Sequence, residues 1–126
     1  MLVVAAVLAT LAALLHVFIW WLESFAWTGR ARAVFGTSRE EAEATKELAY
    51  NQGFYNLFLA LITGAGVLTL ALDHHDVGVA LIVAGTAPML GAALVLVAGS
   101  RARAAAAFRQ GLLPALALVC LLIATA

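Results

Sequence analysis

Charge is scarce in this chain. Only 11% of its 126 residues are Asp, Glu, Lys or Arg, while 65% are hydrophobic. Soluble domains carry roughly a quarter charged and about half apolar residues, and a soluble core this small cannot bury the excess. Water is thereby excluded as the main solvent, which leaves lipid. Cysteine is equally sparse. Cys120 stands alone, which excludes an intramolecular disulfide and a dithiol redox mechanism. No Gly-rich phosphate cradle and no nucleophile elbow is found. No basic segment precedes the N-terminal apolar run, which leads into a Trp-rich, acidic end. That run is read as a mature helix rather than a cleaved signal peptide.

What is present is apolar length. A membrane-crossing helix takes about 20 mostly apolar residues, and four stretches qualify: Leu2 to Leu22, Gly53 to Leu72, Val77 to Gly99, and a short one from about Gln110 or Gly111 to Ala126. The expected fold is all-α, a single four-helix transmembrane domain. Pro114 then sits in the first turn of the last helix, where a missing N–H is harmless. Pro88 lies mid-span, where it kinks a helix that its neighbours can still support. The first connection contains the turn Phe35-Gly36-Thr37-Ser38, and Ser38 followed by Glu41 forms a capping box. The second helix therefore starts near Ser38 and projects over about residues 39–52 before entering the bilayer.

All the Lys and Arg residues lie in two connections: Arg30, Arg32, Arg39 and Lys46 in one, Arg101, Arg103 and Arg109 in the other. The turn between them, Asp73-His74-His75-Asp76, has none. The positive-inside rule makes the two basic connections cytoplasmic and both termini extracytoplasmic. So one-sided a bias also excludes the antiparallel dimers of dual-topology small multidrug-resistance transporters, whose charge bias is weak.

Polar residues inside the spans are the candidates for function. His16, Trp20, Glu23 and Trp27 are spaced by four, three and four and share one helical stripe. On the second helix Asn51, Gln52, Tyr55 and Asn56 cover an arc of roughly 140° at 100° per residue, and Gly53 among them permits close helix approach. Helices one and two are antiparallel, so the two stripes meet in the cytoplasmic half, where Gln110 also opens the fourth helix. A pocket lined by His16, Glu23, Asn51, Gln52, Tyr55 and Asn56 is the sharp expectation. His16 and Glu23 are its acid–base candidates; Trp20, Asn51, Gln52, Tyr55, Asn56 and Gln110 are its ligand-binding candidates. The plainer readings stand beside it. Asn, Gln and Tyr near helix ends glue helices together, Trp20, Trp21, Trp27 and Tyr50 form an aromatic belt, and Glu40, Glu41, Glu43 and Glu47 form a solvated helix face. No metal site is expected: His16 and Glu23 are two turns apart, and neighbours in the Asp73–Asp76 turn rarely converge on one ion. No cofactor is implied.

The run Leu48-Ala49-Tyr50-Asn51-Gln52-Gly53-Phe54-Tyr55-Asn56-Leu57-Phe58-Leu59-Ala60 resembles the signature of the domain-of-unknown-function 1304 family. So do His16 through Glu23 with Trp27, Phe35-Gly36 in the loop, and Gln110 with Pro114-Ala115. The resemblance spans nearly the whole chain. It implies a small integral membrane protein, multi-pass in the cell membrane and in bacteria in the inner membrane, and it transfers no activity. Three functions stay open. The first is a pocket that binds or transforms a small amphiphile, such as an isoprenoid, a quinone or a lipid-like molecule. The second is a structural or accessory subunit, with Thr63, Gly64, Gly66, Gly85, Gly91 and Gly99 as small-residue surfaces for packing or homo-oligomers. The third is a proton-coupled transporter, which the apolar outer halves of the helices disfavour. Membrane lipid is the partner the composition implies; nucleic acid is not.

Overall fold

A computed structural model describes all 126 residues, Met1–Ala126. The fold is all-helical, with four helices long and apolar enough to cross a membrane. Helix α1 covers Leu2–Phe25, a short α2 covers Arg30–Phe35, α3 covers Arg39–Ala71, α4 covers His75–Gly99, and a 3-10 turn at Arg101–Arg103 leads into α5, Ala104–Thr125. Of 99 backbone hydrogen bonds, 84 lie within these helices, so the chain carries almost no backbone polarity that lipid would leave unpaired.

Each long helix packs on two neighbours, in the ring α1–α3–α4–α5. Ala5 and Ala9 of α1, Leu70 of α3, Ile82 of α4 and Ala117 and Leu121 of α5 form one buried cluster. The two termini therefore lie at the same end of the bundle. The opposite end carries α2, the 3-10 turn and every Lys and Arg, and is called the charged end below. Only 27 of 126 residues are buried, while Val3 (77% exposed), Val95 (73%) and Leu122 (69%) point outward. Apolar surface of this extent needs lipid or a partner helix against it.

Helix α3 is the longest element. Its N-cap is Ser38, whose side chain accepts from the Glu41 backbone N–H at 3.1 Å, with Glu40 and Glu41 in the first turn. At about 1.5 Å per residue its 33 residues reach about 50 Å, well beyond a hydrocarbon layer of about 30 Å. The excess lies at the charged end. There α2 turns back beneath α1 and stops at Gly36, which takes a left-handed φ of 68° that costs glycine nothing.

Two local features differ from the sequence reading. The loop expected between the first two spans contains α2, and α5 starts at Ala104 instead of near Gln110. The Ala104–Ala107 run explains the second difference, since alanine is the strongest helix former and adds turns at the N-terminal side. Pro114 consequently lies inside α5, buried, and not in its first turn. Its ring releases the Gln110 carbonyl from the i−4 bond. Helix α4 runs through Pro88 without interruption.

Small residues set the helix spacing. A Cβ at Gly66 would stand 2.7 Å from the Ile82 backbone nitrogen, and one at Gly78 would stand 2.7 Å from that of Leu70. Gly85 lies against Thr63, while Gly64, Gly91 and Gly99 face open space. Gly66→Ala and Gly78→Ala should each cost about 1–3 kcal/mol by forcing α3 and α4 apart. Gly64→Ala and Gly91→Ala should be neutral or stabilising by up to about 1 kcal/mol through helix propensity. Thermal unfolding of the four variants in detergent micelles checks the split; equal effects at all four positions would contradict this packing.

Candidate functional site

The polar residues of α1 and α3 meet at the charged end, where Gly53 brings the two backbones together. A Cβ at Gly53 would come within 3.0 Å of the Trp20 carbonyl and 3.1 Å of the Ser24 nitrogen. That approach lets Asn56 Nδ2 donate to Glu23 Oε2 at 2.6 Å, and Ser24 Oγ donate to the Tyr50 carbonyl at 2.9 Å. Asn56 Nδ2 also lies 3.3 Å from the Gln52 carbonyl, so the amide is held by its own helix while it serves α1. Glu23 Oε1 has no hydrogen-bond partner and is not among the buried unpaired atoms; it is the open side of the carboxyl group.

Aromatic rings frame this contact. Trp20 meets Phe54 edge-on at 5.8 Å and Phe25 at 5.5 Å, and Phe25 meets Tyr50 at 6.1 Å. The Trp20 indole Nε1 is buried without a partner. Trp27 lies past the end of α1, where its Nε1 donates to Thr45 Oγ1 at 3.0 Å and its ring packs on Phe35 at 5.6 Å. Trp27 is therefore tied to α3.

Beyond the Glu23–Asn56 bond α1 ends at Phe25 while α3 continues back to Arg39. The space between them is a hollow of about 570 Å³. Glu23, Ser24, Phe25, Trp27 and Thr28 line one wall; Lys46, Glu47, Tyr50 and Asn51 line the other. A shallower groove of about 590 Å³ adjoins it on the outer face of α3, lined by Tyr50, Asn51, Phe54, Tyr55 and Phe58. Tyr50 and Asn51 belong to both.

The expected residues thus fall into separate places. Glu23 and Asn56 bond to each other, Trp20 packs beside them, and Asn51 lines the hollow. Gln52 and Tyr55 are exposed on α3, with Tyr55 in the outer groove. His16 is buried elsewhere, 1% exposed, with Nδ1 2.9 Å from its own Ala12 carbonyl. It lies seven residues from Glu23, about 10 Å along the helix axis, and lines neither space. Gln110 is half-buried on α5 and also lines neither. Ser24, Lys46 and Glu47 were not among the expected site residues. Lys46, Glu47, Tyr50 and Asn51 share an arc of about 140° at 100° per residue, and that arc was the available signal.

The family model described as "Protein of unknown function (DUF1304)" matches residues 10–122. The chain belongs to that family. No curated protein and no solved structure gives a match. The matched DUF1304 region contains the whole Glu23–Asn56 contact and both hollows. In this DUF1304 chain, removing the amide by Asn56→Leu leaves the carboxyl group of Glu23 without its donor. It should lower stability by about 1–2 kcal/mol. Glu23→Gln keeps an acceptor for Asn56 and should cost less than half of that. Unfolding midpoints in micelles decide; no loss in Asn56→Leu would mean that the bond contributes nothing.

Proposed function

We propose that this protein binds a small amphiphile at the charged end of the bundle, with the polar head in the hollow beside Glu23 and the apolar tail along the α3 groove. The supporting observation is the shared wall. Tyr50 and Asn51 line a space with carboxyl, hydroxyl and ammonium groups and also a space walled by Phe54, Tyr55 and Phe58. A polar chamber that adjoins an aromatic groove across Tyr50 and Asn51 matches a molecule with one polar and one apolar end, and ligand sites combine a few polar groups with apolar walls. The classes that fit are the isoprenoid, quinone and lipid-like amphiphiles.

Binding is better supported than acid–base chemistry by His16 and Glu23. Such chemistry needs both groups within reach of one substrate, and His16 is enclosed and turned onto its own helix. A packing role for the same layer has its own support in the Glu23–Asn56 and Ser24–Tyr50 bonds, which join α1 to α3. The two roles differ in what touches the hollow.

The seven-to-none distribution of Lys and Arg supports a cytoplasmic charged end and outward termini. Fusing alkaline phosphatase to the C-terminus should give an active enzyme in bacterial cells, and fusing green fluorescent protein there a dark one; the reverse pattern would invert the orientation. For ligand binding, a lysophosphatidylcholine carrying a diazirine in its tail should label Tyr50, Phe54, Tyr55 and Phe58 above all other lipid-facing positions. Even labelling over the outer faces of α3, α4 and α5 would favour the packing role.

A further inference from the structure

The hollow has a chemistry that selects among amphiphiles. Its polar lining holds two carboxyl groups, Glu23 and Glu47, against one ammonium, Lys46. None of the three is in an ion pair; the ion pairs of the chain are Arg103–Glu41 and His75–Asp73. Glu23 presents its unpartnered Oε1, since Oε2 is taken by Asn56. The rings of Phe25, Trp27 and Tyr50 line the same space as the two carboxyl groups, with Phe25 and Tyr50 set edge to face at 6.1 Å. Trp27 is fixed in place by its bond to Thr45.

Aromatic walls beside carboxylates are the combination that holds an ammonium group, because ring faces attract cations and a tetra-alkylated nitrogen has no N–H to satisfy. An anionic head would meet two carboxyl groups for one Lys46. A quinone or an isoprenoid alcohol would leave the carboxyl groups without a countercharge. The charged end is rich in arginine, yet none of the seven basic residues except Lys46 lines this space. The hollow is thus locally acidic within a basic surface.

We propose that the amphiphile is one whose head carries a positively charged ammonium group, held between Glu23 and Glu47 against Trp27 and Tyr50. This rests on the amphiphile-binding reading given above and narrows it. The bilayer-level position suits such a molecule: its nitrogen reaches the hollow at the end of α1, and its tail passes Phe54 and Phe58 toward the lipid.

The test is competition. The protein in dodecyl maltoside micelles is photolabelled with the diazirine lysophosphatidylcholine, and labelling at Tyr50 and Phe54 is titrated with dodecyltrimethylammonium, dodecyl phosphate or dodecanol. The ammonium compound should compete at a concentration about tenfold lower than the other two, the size of one partly desolvated cation–π contact. Glu47→Gln, on an exposed turn of α3, should remove most of that advantage. Equal or better competition by dodecyl phosphate or dodecanol would overturn the ammonium assignment while leaving amphiphile binding intact. An advantage that persists in the Glu23→Gln, Glu47→Gln double variant would overturn it as well. Absence of selective labelling before any competitor is added would remove the underlying reading itself.

Discussion

Helices in lipid are not squeezed together by water, so their approach must come from close contact between small residues. This bundle follows that constraint along its whole length. Ala5, Ala9 and Ala12 on α1, Gly53, Ala60, Thr63 and Gly66 on α3, and Gly78, Gly85 and Ala93 on α4 are all buried. Where the smallest residue faces a neighbour's backbone, the helices touch. Gly53 against Trp20 and Ser24 is the case that sets the charged end. Without that approach the Asn56 amide would not reach Glu23, and the walls of the hollow would lose their alignment.

The hollow follows from unequal helix lengths. Helix α1 needs no more than a bilayer crossing, whereas α3 continues for several turns past it. The chain from Ala26 to Ser38 must return over that difference, and it does so through α2 with Trp27 as the tie to Thr45. Arg103 adds a second tie, bonding Glu41 at 3.1 Å across to the start of α5. Both partners of that pair are half-exposed, so it positions the linker more than it stabilises the fold. The result is a chamber at the charged end with walls on the α1 and α3 sides.

Helix number and type were legible because each crossing must be apolar for about 20 residues, and nothing else in so short a chain looks like that. Membership of the DUF1304 family was legible in the Tyr50–Asn56 string and the first-helix stripe. The start of α5 was not, because a hydropathy window ends where arginines begin, while the helix continues through Ala104–Ala107 and Arg109. The candidate site was half legible. Periodicity gives the angle of a side chain about its own axis, but not which neighbour occupies that angle. Asn56 and Tyr55 are only 100° apart on the wheel, yet Asn56 faces Glu23 and Tyr55 faces outward. The partner at Gly53 decides between them, and it is visible only in three dimensions.

The hydrogen bonds of the polar side chains carry this division further. Thr10, Thr63, Thr69, Thr86 and Thr125 each donate to the carbonyl four residues earlier in the same helix, and His16 pairs with its own Ala12 in the same way. These groups are satisfied without any neighbour, so they add polarity to the bundle without adding a place for a ligand. Side chains that reach another element occur only toward the charged end: Glu23 with Asn56, Ser24 with Tyr50, Trp27 with Thr45, and Arg103 with Glu41. A polar route across the bundle would need exchangeable donors and acceptors at successive depths. Within the bundle below the Glu23 level each threonine hydroxyl is instead committed to its own backbone, so no such route runs through it.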